Sequence, residues 1–466
     1  DLGTFAAQLE RNALHGTLPA ARAGEVTEAV TAGYAEGRGD LPSRIGLYTA
    51  AGLLRLAPHG FRNREEDWPA KTEAVLTRAE ALFEAEAPRG RSGRGRSGRG
   101  RKNPRVEVTD PFGVADDPAL AFAAKALEPV AVTARLHEAL GDPALELRGI
   151  CVRRHKRGKR CLITYELTSA GGGLNALGKV RAKGTDRRTL RLQEALWRRG
   201  WDDDSADGIS VAEPLGTVEA FRMTLQRSIA GVSARDVLGR PGSTVGIEAA
   251  KRVAEAAYKL HRTGVRPERR HDIGDELAIL RRRLLGLAAR HPPLSKRLKQ
   301  LLRACETVAA RLPEAAPTGI HRDFYPDQIL MGAERLYLLD LDLYCLGDPA
   351  LDLGNFVGHL SEQALRAHAD PDALLEAEEA LIEAYERLSG ACIRPAVQVY
   401  KTLTLARHIE LSTRLAGRGA FTEALLELCE RRLEPIQADT PAPPDPVPPD
   451  PVPSDKDRAE NAPDAL

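Results

Sequence analysis

The sequence predicts an α+β protein of two lobes, a small strand-rich one followed by a larger helical one. Strand-like segments gather between residues 146 and 229, and helical segments follow from residue 244. Strands and helices are therefore segregated along the chain rather than alternating as in βαβ units. At 466 residues the chain also exceeds one typical domain, so more than one unit is expected.

The elements follow from local pattern. Residues 146–167 hold two apolar runs around the basic turn 155–160, which reads as a hairpin. Residues 177–182 continue as a third strand. Residues 189–199 read as a helix with Leu192, Ala195 and Leu196 on one face. Residues 221–229 read as a further strand. Residues 244–263 form one amphipathic segment that ends at Gly264, a residue suited to a helix terminus. Leu277, Leu280, Leu284 and Leu287 are spaced by three and four, a second helix, and 294–312 is a third.

Two stretches lack the apolar side chains needed to offset ordering entropy. Residues 89–102 alternate Gly, Ser and seven basic residues, and 87–104 is expected to be a flexible linker. Residues 437–466 carry a Pro/Asp tract and are expected to form an extended tail. Arg/Gly repeats bind RNA in a salt-dependent way. No aromatic residue is interleaved here for base stacking, so the stretch reads as a tether and nucleic acid is not expected as a partner.

The formal net charge is +1, which gives no global attraction to nucleic acid or anionic membrane. The six cysteines form no C-x-x-C pair, and a reducing cytoplasm fits them. No apolar run approaches the ~20 residues that span a bilayer, and no membrane partner is expected. No signal peptide opens the sequence, which begins at Asp1 and so reads as processed or as a fragment.

The chain also repeats itself. DLGTFAAQLERNAL from Asp1 parallels DLGNFVGHLSEQAL from Asp352, Tyr34 lies against Tyr385, and the run from Leu47 lies against that from Val399. Residues 1–86 are thus expected to be the helical C-terminal part of a first similar unit, its catalytic segment lying upstream of Asp1. Two alanine-rich bundles alike in composition are the rival explanation.

The chemically informative segment is HRDFYPDQILMGAERLYLLDLDLYCLGDPALDLGNF, residues 321–356. Phosphoryl transfer to a hydroxyl needs a carboxylate to orient and accept the proton, oxygen ligands for Mg²⁺, and a cation on the phosphates. Asp323 opens a loop before the strand-like 328–331, where Gln328 offers an amide oxygen. A second strand-like run, 336–339, ends at Asp340. Two oxygen ligands on adjacent strand ends beside a possible base match a metal–phosphate site.

His-x-Asp, the amide residue five positions on, the apolar-Asp turn and Gly-Asp-Pro-x-x-Asp-Leu resemble the signature of the aminoglycoside phosphotransferase and choline kinase families. The resemblance covers roughly residues 128–436. It implies a two-lobed protein kinase-like fold, with a lobe at 105–230 and a helical lobe at 231–436. It implies ATP and Mg²⁺ as cofactors and a small hydroxyl acceptor: a sugar, an aminoglycoside-like compound or an amino alcohol. By resemblance Asp323 is the catalytic base, Asp340 the main metal ligand, and Gln328 stands where the family has a metal-binding Asn.

By the same resemblance Lys179 holds the nucleotide phosphates, Glu194 pairs with Lys179, and Gln226 and Ser228 lie in the interlobe segment that meets adenine. The rival reading of Lys179 is a solvated strand lysine, with Lys183 as competitor, and that of Glu194 a solvated helix residue. The basic turn 154–160 is either a phosphate lid or a solvated tip. Asp342 is a metal-side or a structural acid, Asp348 caps or bonds the catalytic loop, and Asp352 reads as a helix N-cap. His321 is expected to brace the loop, and His261 and His359 to be structural. No activation segment follows Asp340, which disfavours a protein substrate. The alternative function is a non-catalytic nucleotide-binding or scaffolding module, motivated by Gln328 and the incomplete first unit.

Overall fold

The computed structural model describes residues 2–16, 18–38, 45–57, 68–86, 106–169, 172–415 and 417–438. Asp1, the Arg/Gly stretch and all but the first two residues of the expected tail lie outside these. The chain divides into two units, 1–102 and 103–466.

The first unit contains helices α1 (Leu2–Leu14), α2 (Ala20–Arg38), α3 (Ile45–Leu56) and α4 (Trp68–Glu86). Its core is small and alanine-rich: Ala7, Ala50, Leu53, Val75 and Ala79. Small residues let the helices approach closely. A Cβ on Gly3 of α1 would collide with the Tyr48 side chain of α3. Arg78 of α4 binds Glu10 of α1 at 2.6 Å.

The second unit begins with β1 (Glu107–Thr109), α5 (Pro129–Leu140), β2 (Glu146–Lys156), β3 (Arg160–Ser169), β4 (Gly172–Arg181), α6 (Arg187–Leu196), β5 (Ile209–Val211), β6 (Pro214–Val218) and β7 (Met223–Arg227). Its main sheet has the order β1-β2-β3-β4-β7-β6 and is antiparallel except for the β1–β2 pair. Strand periodicity places side chains alternately on the two faces. Ala176 and Val180 of β4 therefore enter the lobe core with Ile163, Tyr165, Met223 and Leu225. Leu177, Lys179 and Arg181 point from the opposite face.

The helical lobe follows: β8 (Val232–Ser233), α7 (Ala234–Leu238), α8 (Thr244–His261), α9 (Ile273–Arg290), α10 (Ser295–Ala309), β9 (Thr318–Ile320), β10 (Ile329–Met331), β11 (Leu336–Leu338), β12 (Cys345–Gly347), α11 (Pro349–His368), α12 (Leu375–Ser389), α13 (Arg394–Arg414) and α14 (Thr422–Ala438). Two small sheets, β5-β11-β10-β8 and β12-β9, carry the loops of the informative segment. Phe324 and Phe356 pack at 5.3 Å between ring centroids beneath them. Lys401 of α13 forms a buried pair with Glu378 of α12, whose other oxygen accepts from Ser361 of α11 at 2.7 Å.

Three sequence expectations shift. The helix expected over 189–199 ends at Leu196 and continues as a π-turn to Trp201, in which Gly200 has φ 79°. The strand expected over 221–229 shortens to β7, because Phe221 closes a 3₁₀ turn and Arg222 adopts φ 47°. Asp352 is not the N-cap of α11. That role falls to Asp348, which accepts from Ala350 N at 2.9 Å, while Asp352 lies fully buried inside the first turn. Among the described residues no helix is long and apolar enough to cross a membrane.

Candidate active site

The loop from β9 to β10 carries Asp323, and it is pinned from below. The Asp352 carboxylate accepts the backbone N–H of His321 and of Arg322, each at 2.7 Å. It also meets His261 Nε2 at 3.0 Å, and His261 Nδ1 in turn meets the Tyr385 hydroxyl at 2.8 Å. His321 Nε2 donates to Leu339 O at 2.7 Å, which ties the loop to the end of β11. Arg322 holds φ 69°, a left-handed conformation uncommon for a side-chain-bearing residue. His321 and His261 thus brace and do not face the cleft.

Asp340 follows β11 directly and also takes a left-handed backbone, φ 52°, at the entry to a 3₁₀ turn. Lys179 Nζ donates to Asp340 Oδ1 at 2.6 Å and to Asp342 Oδ1 at 2.9 Å. Arg181 also pairs with Asp342, and with Asp186 at 3.2 Å. Burial alone would raise the Asp340 carboxyl. The Lys179 ammonium outweighs it, aided by Asp342 and Arg160, and holds Asp340 down at about 2. The Asp323 carboxyl moves the other way. Burial raises it, with Asp340 adding to the rise and His321, Arg407 and the Gln328 amide opposing. Two nearby carboxyls pushed in opposite directions can hold different protonation roles.

Gln328 is buried at the start of β10. Its Nε2 donates to the Tyr325 hydroxyl at 3.1 Å, and its amide also hydrogen-bonds Asp323. Its backbone carbonyl accepts from Leu339 N at 2.8 Å, which holds the Asp340 loop against the Asp323 loop. The Tyr325 ring stacks on His359 at 4.6 Å, and burial together with Asp323 pushes its hydroxyl up to about 12.

A cavity of about 260 Å³ opens between the sheet and these loops. Lys179, Gln226, Ser228, Gln328 and Asp340 line it, so five of the seven expected site residues share one space. The Ser228 backbone N–H already donates to Asn175 O at 2.7 Å, so Ser228 offers the cavity its hydroxyl and carbonyl. Asp323 lines a second cavity of about 530 Å³ on the helical side, and Asp327 and Arg154 line both.

Glu194 is not brought to Lys179, whose ion pairs go to Asp340 and Asp342. The stripe of α6 that faces the site is Thr189, Leu190 and Gln193. One residue turns an α-helix by about 100°, which carries Glu194 off that stripe. Gln193 donates instead to Ala212 O at 2.5 Å.

The basic turn has a fixed place. Buried Asp117 accepts from Gly158 N at 2.7 Å and meets His155 Nε2 at 2.8 Å. Arg154, Lys156 and Arg160 are thereby held along the 260 Å³ cavity. Asp117 carries no motif, and the sequence offered no signal for it.

The 260 Å³ cleft thus lies against the sheet lysine Lys179 and is walled by the loop carboxylates Asp327 and Asp340. Residues 183–391 match the sequence model of the phosphotransferase enzyme family. Solved structures with a similar course include a choline/ethanolamine kinase family protein from Mesorhizobium loti, 18% identical over 61% of this chain and 88% of that one, TM-score 0.43. An ethanolamine kinase of Plasmodium vivax is 12% identical over 64% and 88%, TM-score 0.43. Aminoglycoside phosphotransferase APH(4)-Ia in ternary complex with ADP and hygromycin B is 14% identical over 65% and 98%, TM-score 0.44. No curated protein matches the chain.

Proposed function

We propose that the second unit transfers the γ-phosphate of ATP to a hydroxyl of a small molecule. The observation that carries this is the placement of Asp323 and Asp340 on two loops clamped together through Gln328 and Leu339, with Lys179 reaching Asp340 across the cleft. Asp323 orients the acceptor hydroxyl and receives its proton, and Lys179 neutralises the nucleotide phosphates. Gln226 and Ser228 border the end of the cleft assigned to the base. The match of residues 183–391 to the phosphotransferase family model supports a phosphotransferase.

Mg²⁺ takes few protein ligands when it also holds phosphate oxygens. The residues fit: the Asp340 carboxylate stays ionised across the physiological range, and both line the same cavity. The Gln328 amide nitrogen is directed at Tyr325 and Asp323, which leaves its oxygen for a cation. When bound, the ion would neutralise charge on the transferring phosphoryl group.

The second reading is a nucleotide-binding module without transfer. It is motivated by Gln328, one methylene longer than the Asn of the signature the segment resembles. ATP consumption against a metabolite panel, with Asp323→Ala as control, separates the two. ATP binding with no turnover on any acceptor would establish the module.

The first unit we read as a counterpart of α11–α14. Gly354 of α11 meets Tyr400 of α13 as Gly3 meets Tyr48, with a Cβ on either glycine blocked by the tyrosine. At the next crossing the small and larger residues exchange sides: Ala7 faces Gly52, and Gly358 faces Thr404. Composition alone does not produce matched crossings. A Gly3→Leu substitution is expected to unfold α1 from α3, read by loss of helical signal from an isolated 1–102 fragment.

A further inference from the structure

The 530 Å³ cavity beside Asp323 is unlike a site for a cationic acceptor. It is lined by seven arginines against four carboxylates, Glu276, Asp323, Asp327 and Glu362. Its two histidines add no negative charge and are held neutral. Burial and the neighbouring His408 depress His359 well below its usual range, and burial with Arg407 brings His408 to about 3.

The carboxylates are already engaged. Arg366 and Arg418 share Glu362 at 2.6 and 3.2 Å. Arg407 holds Glu276 at 3.0 Å, and Arg235 holds Asp327 at 3.1 Å. Three arginines remain. Arg154 and Arg322 pair with no carboxylate among the described residues. Among the described residues Arg283 approaches one carboxylate, Glu410, at 3.8 Å, and that carboxylate also serves Arg290 and Arg414. Its Nη1 is buried without a hydrogen-bond partner. Arg154, Arg283 and Arg322 line the cavity beside Asp323, and this excess of guanidinium charge matches a bound oxyanion.

Resting on the assignment of Asp323 as the acceptor-side carboxylate, we propose that the acceptor is an anionic alcohol, a hydroxyl compound bearing a phosphate or carboxylate that Arg283, Arg322 and Arg154 hold. Aminoglycosides and choline carry positive charge and would meet like charge there. In the transfer, the acceptor oxygen bonds to the γ-phosphorus, the bond to the β-γ bridging oxygen breaks, ADP leaves, and the hydroxyl proton passes to Asp323.

The full chain with ATP and Mg²⁺ is offered glucose, glucose 6-phosphate, gluconate, kanamycin and choline. Expected is a kcat/KM for glucose 6-phosphate or gluconate about tenfold or more above that for glucose; the two arms separate phosphate from carboxylate. Arg283→Gln removes that preference by raising acceptor KM with the KM for ATP unchanged, and Arg283→Lys restores part of it. Transfer preferring kanamycin, choline or glucose would overturn the anionic acceptor while leaving phosphoryl transfer standing. If nothing is phosphorylated, calorimetry decides. Glucose 6-phosphate binding that Arg283→Gln weakens keeps the anion site and removes the transferase reading. No binding and no transfer removes the proposal.

Discussion

The Asp352 carboxylate accepts the backbone N–H of Arg322 at 2.7 Å, and Arg322 is a left-handed residue immediately before Asp323. A buried carboxylate in the first turn of α11 thus sets the conformation of the loop that carries the proposed base.

Asp352→Ala strips the acceptor from two buried N–H groups and from His261. Leaving buried donors unpaired costs about 1–3 kcal/mol each, so urea unfolding should show a loss of at least about 3 kcal/mol. Asp352→Asn keeps one carbonyl oxygen and should recover part of that, with turnover still reduced.

Lys179→Ala removes the ammonium that holds Asp340 down at about 2. The Asp340 carboxyl should move back up, and the KM for ATP should rise about tenfold or more through loss of a charged phosphate contact. Steady-state kinetics in ATP check this, and an unchanged KM would place Lys179 outside the nucleotide site.

Gln328 is tested through the metal. Gln328→Ala should raise the Mg²⁺ concentration needed for half-maximal turnover, and Gln328→Asn should restore part of the loss by keeping the amide oxygen. Gln328→Ala also removes the hydrogen bonds to the Tyr325 hydroxyl and the Asp323 carboxylate, so stability should fall by about 2–4 kcal/mol.

His359 and His408 predict acid sensitivity of the fold. Both rings are held neutral when folded, while unfolded histidine protonates near 6.5. Below 6.5 the unfolded chain binds more protons, so stability falls as pH falls, for His408 down to about 3. The slope is on the order of 1 kcal/mol per pH unit for each ring. Asp323 has the opposite sign: its folded carboxyl titrates above 3.8, so its penalty is relieved as pH drops toward that value. Urea midpoints at pH 7 and pH 5 read the net slope, and His408→Leu should reduce it.

Much of this was legible in the sequence. The hairpin, the strand bearing Lys179 and the helix over 244–261 follow from apolar periodicity, because each buries one face. The spacing of Gln328 and Asp340 was legible because they flank the two ends of the β10–β11 hairpin, while Asp323 was legible only through its place in the signature. Glu194 was not, since its distance from Lys179 depends on the rotation of α6 about its axis. Asp352 read as a cap because an acidic residue near a helix start looks the same whether it faces the helix or a distant loop. Lys401 and Glu378 carry no sequence sign of burial, and only the packing of three helices buries them. The arginine cavity is assembled from β2, α7, α9, α11, α13 and nearby loops, with no shared motif.

Asp323→Ala bears most directly on the central claim. With ATP, Mg²⁺ and the best acceptor of the panel, turnover should fall about 10²–10⁴-fold, while the ATP dissociation constant measured by calorimetry stays within a few-fold. Turnover that survives the substitution would contradict the assignment of Asp323 as the group that receives the acceptor proton.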